Sequence, residues 1–437
     1  MKYYNLKDRQ EKVGFKTATI KGQGKEKGLF FPEKIPQFEN KFIQNLHRLA
    51  DAEIAYQCMK DFVGDEIPGE ILQKIVSETV SFDIPLKKIS ENISILELFH
   101  GPTLAFKDIG ARFMSRCLSY FLKDRQKKVT VLVATSGDTG GAVAHGFYNI
   151  PEIDVVILYP QNRVSPVQEK QLTALGQNIF ALEVNGSFDD CQNLVKQAFS
   201  NEEINDRLWL TSANSINVAR WLPQQIYYLL ALKQWQQQEN ERPVICVPSG
   251  NFGNICAGLL AHFRGLPVDH FVAACNANDS IPNYLKTQNF NPQESVATLS
   301  NAMDVGNPSN FVRILELFSH QFDSLKNKVS GYSVDDKETL DTITKVYEEY
   351  RYILEPHSAV AFAAMLQYLN ENPHKKGFIL GTAHPVKFPE AVEKATRTKI
   401  EIPESLHQLM IKEKKTVKIN SDFEELKRFL LNKNEKQ

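Results

Sequence analysis

Between residues 129 and 276 the chain carries five short runs dominated by β-branched and other apolar residues: VTVLVAT (129–135), DVVILY (154–159), NIFALEV (178–184), PVICVP (243–248) and HFVAACN (270–276). Amphipathic stretches, such as VQEKQLTAL (167–175) and FDDCQNLVKQAF (188–199), lie between several of them. A strand that is apolar at nearly every position needs cover on both faces, and helical crossovers join strands that run parallel. The pattern predicts an α/β chain with a mainly parallel sheet flanked by helices. In such sheets ligands gather at the carboxyl ends of the strands.

Around this core the 437 residues divide into three parts. Residues 1–85 mix charged, Gly and Pro positions with one predicted helical stretch over 40–63 and read as an accessory N-terminal region. Residues 90–395 hold the strand–helix alternation. Residues 396–437 form a locally basic tail, predicted to end in a solvated helix rather than a nucleic-acid arm. Lys and Arg total 51 against 52 Asp and Glu, a net charge of −1, so no global positive field exists to condense on nucleic acid or an anionic bilayer. The six cysteines form no C-x-x-C pair, so neither a zinc site nor a disulfide framework is expected. The polar start MKYYNLKDRQEK has no secretory apolar region. The longest apolar stretches, such as ICAGLLAHF (255–263), fall short of the ~20 residues a membrane span needs. The expectation is a cytoplasmic chain.

Two glycine loops follow two of the strands. VTVLVAT runs into Ser136-Gly137-Asp138-Thr139-Gly140-Gly141, and PVICVP into Ser249-Gly250-Asn251-Phe252-Gly253-Asn254; each loop leads into a helical segment. Glycines let backbone N–H groups approach an anion, and the helix N-terminus adds favourable electrostatics. The first loop reads equally as a plain turn whose Ser, Asp and Thr cap the helix. Neither loop has the dinucleotide or P-loop spacing, which ranks a nucleotide site last. Two such junctions suit two anions, one phosphate and one carboxylate.

Lys107 stands in the apolar, turn-rich segment ISILELFHGPTLAFKDIGARFM (93–114). It reads either as an exposed lysine that opens a helix or as an amine desolvated by Leu104, Phe106 and Phe113. Desolvation lowers the pKa of a lysine, and a neutral amine can form a Schiff base with an aldehyde cofactor.

At HGPTLAFKD (100–108) the chain resembles the pyridoxal-phosphate lysine segment of the threonine synthase family. The family's other segments follow in order: SGDTG (136–140), RVSPVQEKQL (163–172), ANSINVAR (213–220), PSGNFGN (248–254), TLSNAMDVGNPSN (298–310), EPHSAVA (355–361) and LGTAHPVKF (380–388). GLFFPE (28–33) is similar to its leading region, and the match runs to about residue 395. The resemblance is to the microbial and fungal form. It implies a two-lobed fold type II pyridoxal-phosphate enzyme, like the tryptophan synthase β-chain, with the cofactor between the lobes. Lys107 would carry the Schiff base. Gly250, Asn251, Phe252, Gly253 and Asn254 would surround the cofactor phosphate, and Thr382 would face the pyridine nitrogen. Ser136, Gly137, Asp138 and Thr139 would meet the substrate carboxylate or the phenolic edge of the cofactor. Gly141 and Asn254 stand where the family often has Ala and Asp.

The implied reaction is a γ-elimination and β-replacement that turns O-phospho-L-homoserine and water into L-threonine and phosphate. Arg163, Arg220, Asn214 and Asn217 are candidates for holding the leaving phosphate, with interlobe structural hydrogen bonds as their other reading. A small-molecule substrate and a monomer or homodimer are implied, with neither nucleic acid nor membrane as partner. Two other readings remain: a dehydratase or phospho-lyase of the same fold that releases 2-oxobutanoate, and a catalytically silent relative that binds a phospho-amino acid. His100, His357 and His384 show no i,i+4 ligand pairing, so no metal is expected.

Overall fold

The computed structural model describes residues 1–123 and 128–433. At the N-terminus β1 (Lys2–Asn5), β2 (Lys12–Gly14) and β3 (Phe30–Pro32) form a small antiparallel sheet in the order β2-β1-β3. This region buries Tyr3 and Phe15 in the main core, with the Phe15 ring 6.5 Å from Phe113 and 6.1 Å from Phe121. The stretch predicted as one helix over 40–63 is broken. It forms helix Asn40–Gln44, a 3₁₀ turn at Leu46–Arg48 and helix Asp51–Val63, with Leu49 and Ala50 extended between them. Fully buried Leu46 anchors the break. Asp51 and Glu53 in the next first turn favour a fresh helix N-terminus there.

Two larger sheets follow. Their strands in chain order are β4 (Leu86–Lys88), β5 (Ile93–Glu97), β6 (Val129–Ala134), β7 (Ile153–Pro160), β8 (Ile179–Asn185), β9 (Trp209–Thr211), β10 (Val244–Pro248), β11 (His270–Cys275), β12 (Val329–Ser333), β13 (Gly377–Gly381) and β14 (Val417–Asn420). One sheet has the order β12-β11-β10-β13-β5-β4, parallel except where β4 meets β5. The other has the order β14-β8-β7-β6-β9 and is parallel throughout. Strands β6, β7, β10 and β13 are buried at every position, as cover on both faces requires. The five strands read from the sequence are therefore present, within a residue or two of the predicted ends. All six cysteines are buried and free.

The tail is not solvated as predicted. Strand β14 extends the second sheet, pairing Val417 with Leu182, and helix Phe423–Asn432 buries Leu426 and Leu430 against that sheet's apolar cluster. Lys433 follows with its ammonium 2.7 Å from Asp154 Oδ2 and 2.9 Å from Thr130 Oγ1. The basic residues on this helix hid two leucines spaced i,i+4, which fall on one helix face. The tail's last four residues, 434–437, lie outside those described. Among the described residues no helix is long and apolar enough to cross a membrane.

Candidate active site

A cleft of about 1270 Å³ opens where the carboxyl ends of β6, β9, β10 and β13 meet the N-terminal region. Lys107 lines it as the first residue of helix Lys107–Leu122. The preceding turn is fixed from several sides. Thr103 donates to Asp108 through its backbone N–H (2.9 Å) and its hydroxyl (2.5 Å). Phe106 N–H donates to the Thr382 carbonyl at 2.9 Å, and His384 N–H to the Leu104 carbonyl at 3.0 Å. Leu104 is left-handed, with φ 55°, and the Tyr227 hydroxyl donates to the Phe106 carbonyl. These bonds hold Lys107 beside the end of β13, where Thr382 lines the same cleft.

Lys107 is half-buried as a residue, with its amine 4.7 Å from the Phe106 ring centroid. Its surroundings lower its pKa: burial acts first, the Lys387 and Arg220 cations assist, and Asp138 and Glu355 oppose. Its place on the first turn of a helix works in the same direction. The sharper of the two sequence readings, a desolvated amine, is the one this geometry supports.

The loop after β10 carries Phe252 in the left-handed region (φ 59°) as the N-cap of helix Gly253–Phe263. The first N–H groups of that helix have no partner within it. A Cβ on Gly250 would stand 2.5 Å from Met303 Cα, so only glycine lets the 298–310 loop close over this turn. Asn251 ties the turn in place, donating to Ser215 Oγ (2.7 Å) and accepting from Ser309 N–H (2.6 Å). Asn254 Nδ2 is buried and has no partner. Arg220 is buried as well, and its Nε and Nη1 also lack partners. Both residues line the cleft. Unpaired buried donors are costly, and these belong to two residues that border the cleft. The donor set therefore fits a phosphorylated aldehyde and an anionic substrate.

In the loop after β6, Gly137 has φ 138°, and a Cβ there would fall 2.5 Å from Gln168 Cδ. Gly137 and Gly140 donate their N–H groups to Thr135 Oγ1 at 3.0 and 2.9 Å. Asp138 opens helix Asp138–Phe147, buried against Lys387 Nζ (2.7 Å) and Gln168 Nε2 (2.9 Å). Burial alone would raise its carboxyl pKa, but Lys387 and Lys107 overcome this and hold it well below the usual carboxylate range. Ser136 and Thr139 line the cleft beside it.

Three of the predicted substrate ligands are not in the cleft lining: Gly137, whose N–H is already given to Thr135 Oγ1, Arg163 and Asn217. Arg163 is exposed on the loop after β7 and is absent from the lining. Asn217 is fully buried and occupied in structure, capping Ala219 N–H (2.9 Å) and donating to the Thr19 carbonyl (2.8 Å). Asn214 and Arg220 do line it. Of the three histidines singled out, only His357 lines the cleft. It accepts from Ala302 N–H at 3.1 Å, so the other ring nitrogen carries the proton toward Glu355, 2.5 Å away. His100 pairs with Glu97 and His384 accepts from Val386 N–H. Lys387, Gln168 and Tyr227 are functional neighbours that the sequence reading did not single out. The first two stand inside motifs it quoted, but nothing in the spacing marks what they touch.

Three family models match the chain: threonine synthase N terminus over 2–80, pyridoxal-phosphate dependent enzyme over 83–380, and threonine synthase C-terminal over 358–430. The chain is 45% identical over 432 residues to threonine synthase from Escherichia coli, covering 99% of this chain and 100% of that one. The crystal structure of Escherichia coli threonine synthase has a TM-score of 0.92 to it at 44% identity, covering 99% of this chain and 100% of that one. Pyridoxal-phosphate-bound threonine synthase from Brucella melitensis also has a TM-score of 0.92, at 33% identity and with 99% of both chains covered.

Proposed function

The chain belongs to the threonine synthase family, and from that membership we propose how its own residues convert O-phospho-L-homoserine and water to L-threonine and phosphate. When bound, pyridoxal 5'-phosphate supplies an aldehyde for amines and a ring that withdraws electrons from the substrate α-carbon. Lys107 Nζ would hold that group covalently. The amides of Gly250 to Asn254, with Asn254 Nδ2, would hold its phosphate, and the Thr382 hydroxyl would meet the pyridine nitrogen. A hydroxyl stabilises a protonated ring nitrogen less than a carboxylate does.

Ser136 and Thr139, at the N-terminus of helix Asp138–Phe147, would hold the substrate carboxylate, with Asp138 bordering it and Gly137 shaping the turn. Lys107, released as a neutral amine, takes the proton from substrate Cα and serves the proton transfers at Cβ and Cγ that let phosphate leave and water add at Cβ. Arg220 and Asn214 would receive the leaving phosphate. A dianion in a partly apolar cleft needs such partners, and Arg220 has unpaired donors available. The reading carries with it a cytoplasmic monomer or homodimer that uses no nucleic acid or membrane; the six buried free thiols support a reducing compartment.

The observation that carries this reading is the desolvated Lys107 amine at the first turn of its helix, sharing one cleft with a glycine turn and two residues that hold unpartnered buried donors. Borohydride reduction of the cofactor-loaded protein, followed by peptide mapping, should place the tag on Lys107. Turnover of O-phospho-L-homoserine should give threonine and phosphate in equal amounts, with 2-oxobutanoate a minor product. A tag elsewhere, or 2-oxobutanoate as the main product, would overturn the reading.

A further inference from the structure

Lys387 sits in the 3₁₀ turn Pro385–Lys387 after β13, fully buried beneath the cleft. Its ammonium donates to two places at once: the Asp138 carboxylate at 2.7 Å and the Thr103 carbonyl at 2.8 Å. The first lies on the loop after β6, and the second begins the turn that carries Lys107. Gln168 Nε2 and Gln171 Nε2 complete the same polar layer, at 2.9 Å from Asp138 Oδ1 and 3.0 Å from the Thr103 carbonyl.

We propose that Lys387 is a positioning residue that sets the proton affinity of Lys107, cancelling the Asp138 carboxylate that would otherwise hold the Lys107 amine as an ammonium. The proposal rests on the reading of Lys107 as the lysine that holds the cofactor.

The charges facing Lys107 come from four elements. Asp138 lies on the helix after β6, Lys387 on the turn after β13, Arg220 on helix Val218–Trp221, and Glu355 caps helix Pro356–Glu371. Glu355 is already satisfied by the His357 ring and by the N–H groups of His357 and Ser358. Asp138 has Lys387 as its close cation. Around Lys387 itself stand Asp108, His145 and His384. Asp108 is bound to Thr103, and burial lowers both histidines to about 4, so they add no positive charge near neutrality.

Removing Lys387 therefore leaves a buried carboxylate whose remaining facing cation is Lys107. Both groups border the cleft and interact electrostatically, and an opposite charge within about 4–6 Å favours the ammonium by about 1–3 pH units. A protonated Lys107 can neither condense with an aldehyde nor accept the Cα proton. Condensation needs the free amine, whose two hydrogens leave with the aldehyde oxygen as water.

The test is the pH dependence of the rate at which cofactor-free protein takes up pyridoxal phosphate, followed by absorbance of the lysine-bound form. Ionisations of pyridoxal phosphate are common to all variants and cancel in the comparison. Lys387→Met should move the midpoint upward by about one pH unit or more. Lys387→Met combined with Asp138→Asn should bring it back, and Lys387→Arg should leave it near the wild-type position. Asp138→Asn alone, which keeps the cation, should move it downward.

A purely structural tie between loops would change uptake without moving the midpoint. A Lys387→Met midpoint that coincides with wild type, or a double variant that stays with the single one, overturns the proposal. Should Lys387→Met fail to fold, an unmoved midpoint in Asp138→Asn overturns it instead. Borohydride mapping of the same samples separates the two levels: a tag on Lys107 with unmoved midpoints removes only the role of Lys387, whereas a tag elsewhere removes the underlying reading as well.

Discussion

The Tyr228 hydroxyl lies 2.9 Å from Asn254 Oδ1 and so decides which way that amide points, turning Nδ2 away as a buried donor without a partner. Asn254 borders the cleft, so this unpartnered donor lies next to the glycine turn before any ligand arrives. A hydrogen bond to a charged group contributes about 1.5–3 kcal/mol. Asn254→Ala should therefore weaken pyridoxal phosphate retention roughly 10- to 100-fold. Tyr228→Phe, which frees the amide to rotate, should cause a smaller loss. Equilibrium titration of the cofactor-free protein, read by absorbance, checks both. Unchanged affinity in Asn254→Ala would remove this residue from the phosphate site.

Lys107 makes the stability of the cofactor-free protein depend on pH in a definite direction. Its folded-state pKa lies below the ordinary lysine value of 10.5, with burial as the leading cause. Between the lowered value and 10.5 the unfolded chain binds more protons than the folded one, so stability rises with pH across that window. Lys107→Ala should abolish this rise while preserving the fold, since alanine suits a helix and leaves no buried amine. Denaturant midpoints measured from neutral to alkaline pH should converge for the two proteins at the upper end. A rise of equal size in the variant would assign it to another group.

Gly250 tests how closely the 298–310 loop must approach the glycine turn. A methyl group there would meet Met303 Cα at 2.5 Å, backbone that cannot rotate away as a side-chain tip could. Overpacking of this kind costs typically about 1–3 kcal/mol. Gly250→Ala should lower the melting temperature and weaken cofactor binding together. At Gly253 the nearest atoms stand 3.3 Å away, on the Asn310 and Ser215 side chains, so Gly253→Ala should be tolerated better. Equal losses in the two variants would show that space is not what the first glycine provides.

Much of this site could be read from the chain because strands that are apolar on both faces announce themselves, and the turns after β6 and β10 carry glycine. Strands β6, β7, β8, β10 and β11 were legible for that reason. The three-residue strands β2, β3, β4 and β9 offer too few positions to show any period. Asn217 and Arg163 lay in the right motifs, but motif membership does not say where a side chain points. Asn217 turns to cap its own helix, a local bond always available to Asn. Lys387 shows the opposite failure, since its partners Asp138 and Thr103 lie far away in sequence and meet it only when the two sheets assemble.

Arg220 sets stability against function. Its guanidinium is buried, forms no ion pair among the described residues, and is pushed down to about 10 by burial, with Tyr227 and Asp108 opposing. An uncompensated buried cation destabilises the protein that holds it, and a well-packed apolar side chain is often as stable or better. In the cofactor-loaded protein, Arg220→Met should therefore melt at or above the wild-type temperature while kcat/KM for O-phospho-L-homoserine falls. Loss of a buried charge partner costs about 2–5 kcal/mol, roughly 30-fold or more in kcat/KM. Inorganic phosphate, with the cofactor site already filled, should raise the wild-type melting temperature by mass action and leave that of the variant unmoved. The absorbance of the lysine-bound cofactor should stay intact, which separates loss of the substrate anion from loss of the cofactor. If phosphate stabilises both proteins alike, the leaving group is received elsewhere in the cleft, and the unpaired donors of Arg220 must be explained by the fold alone.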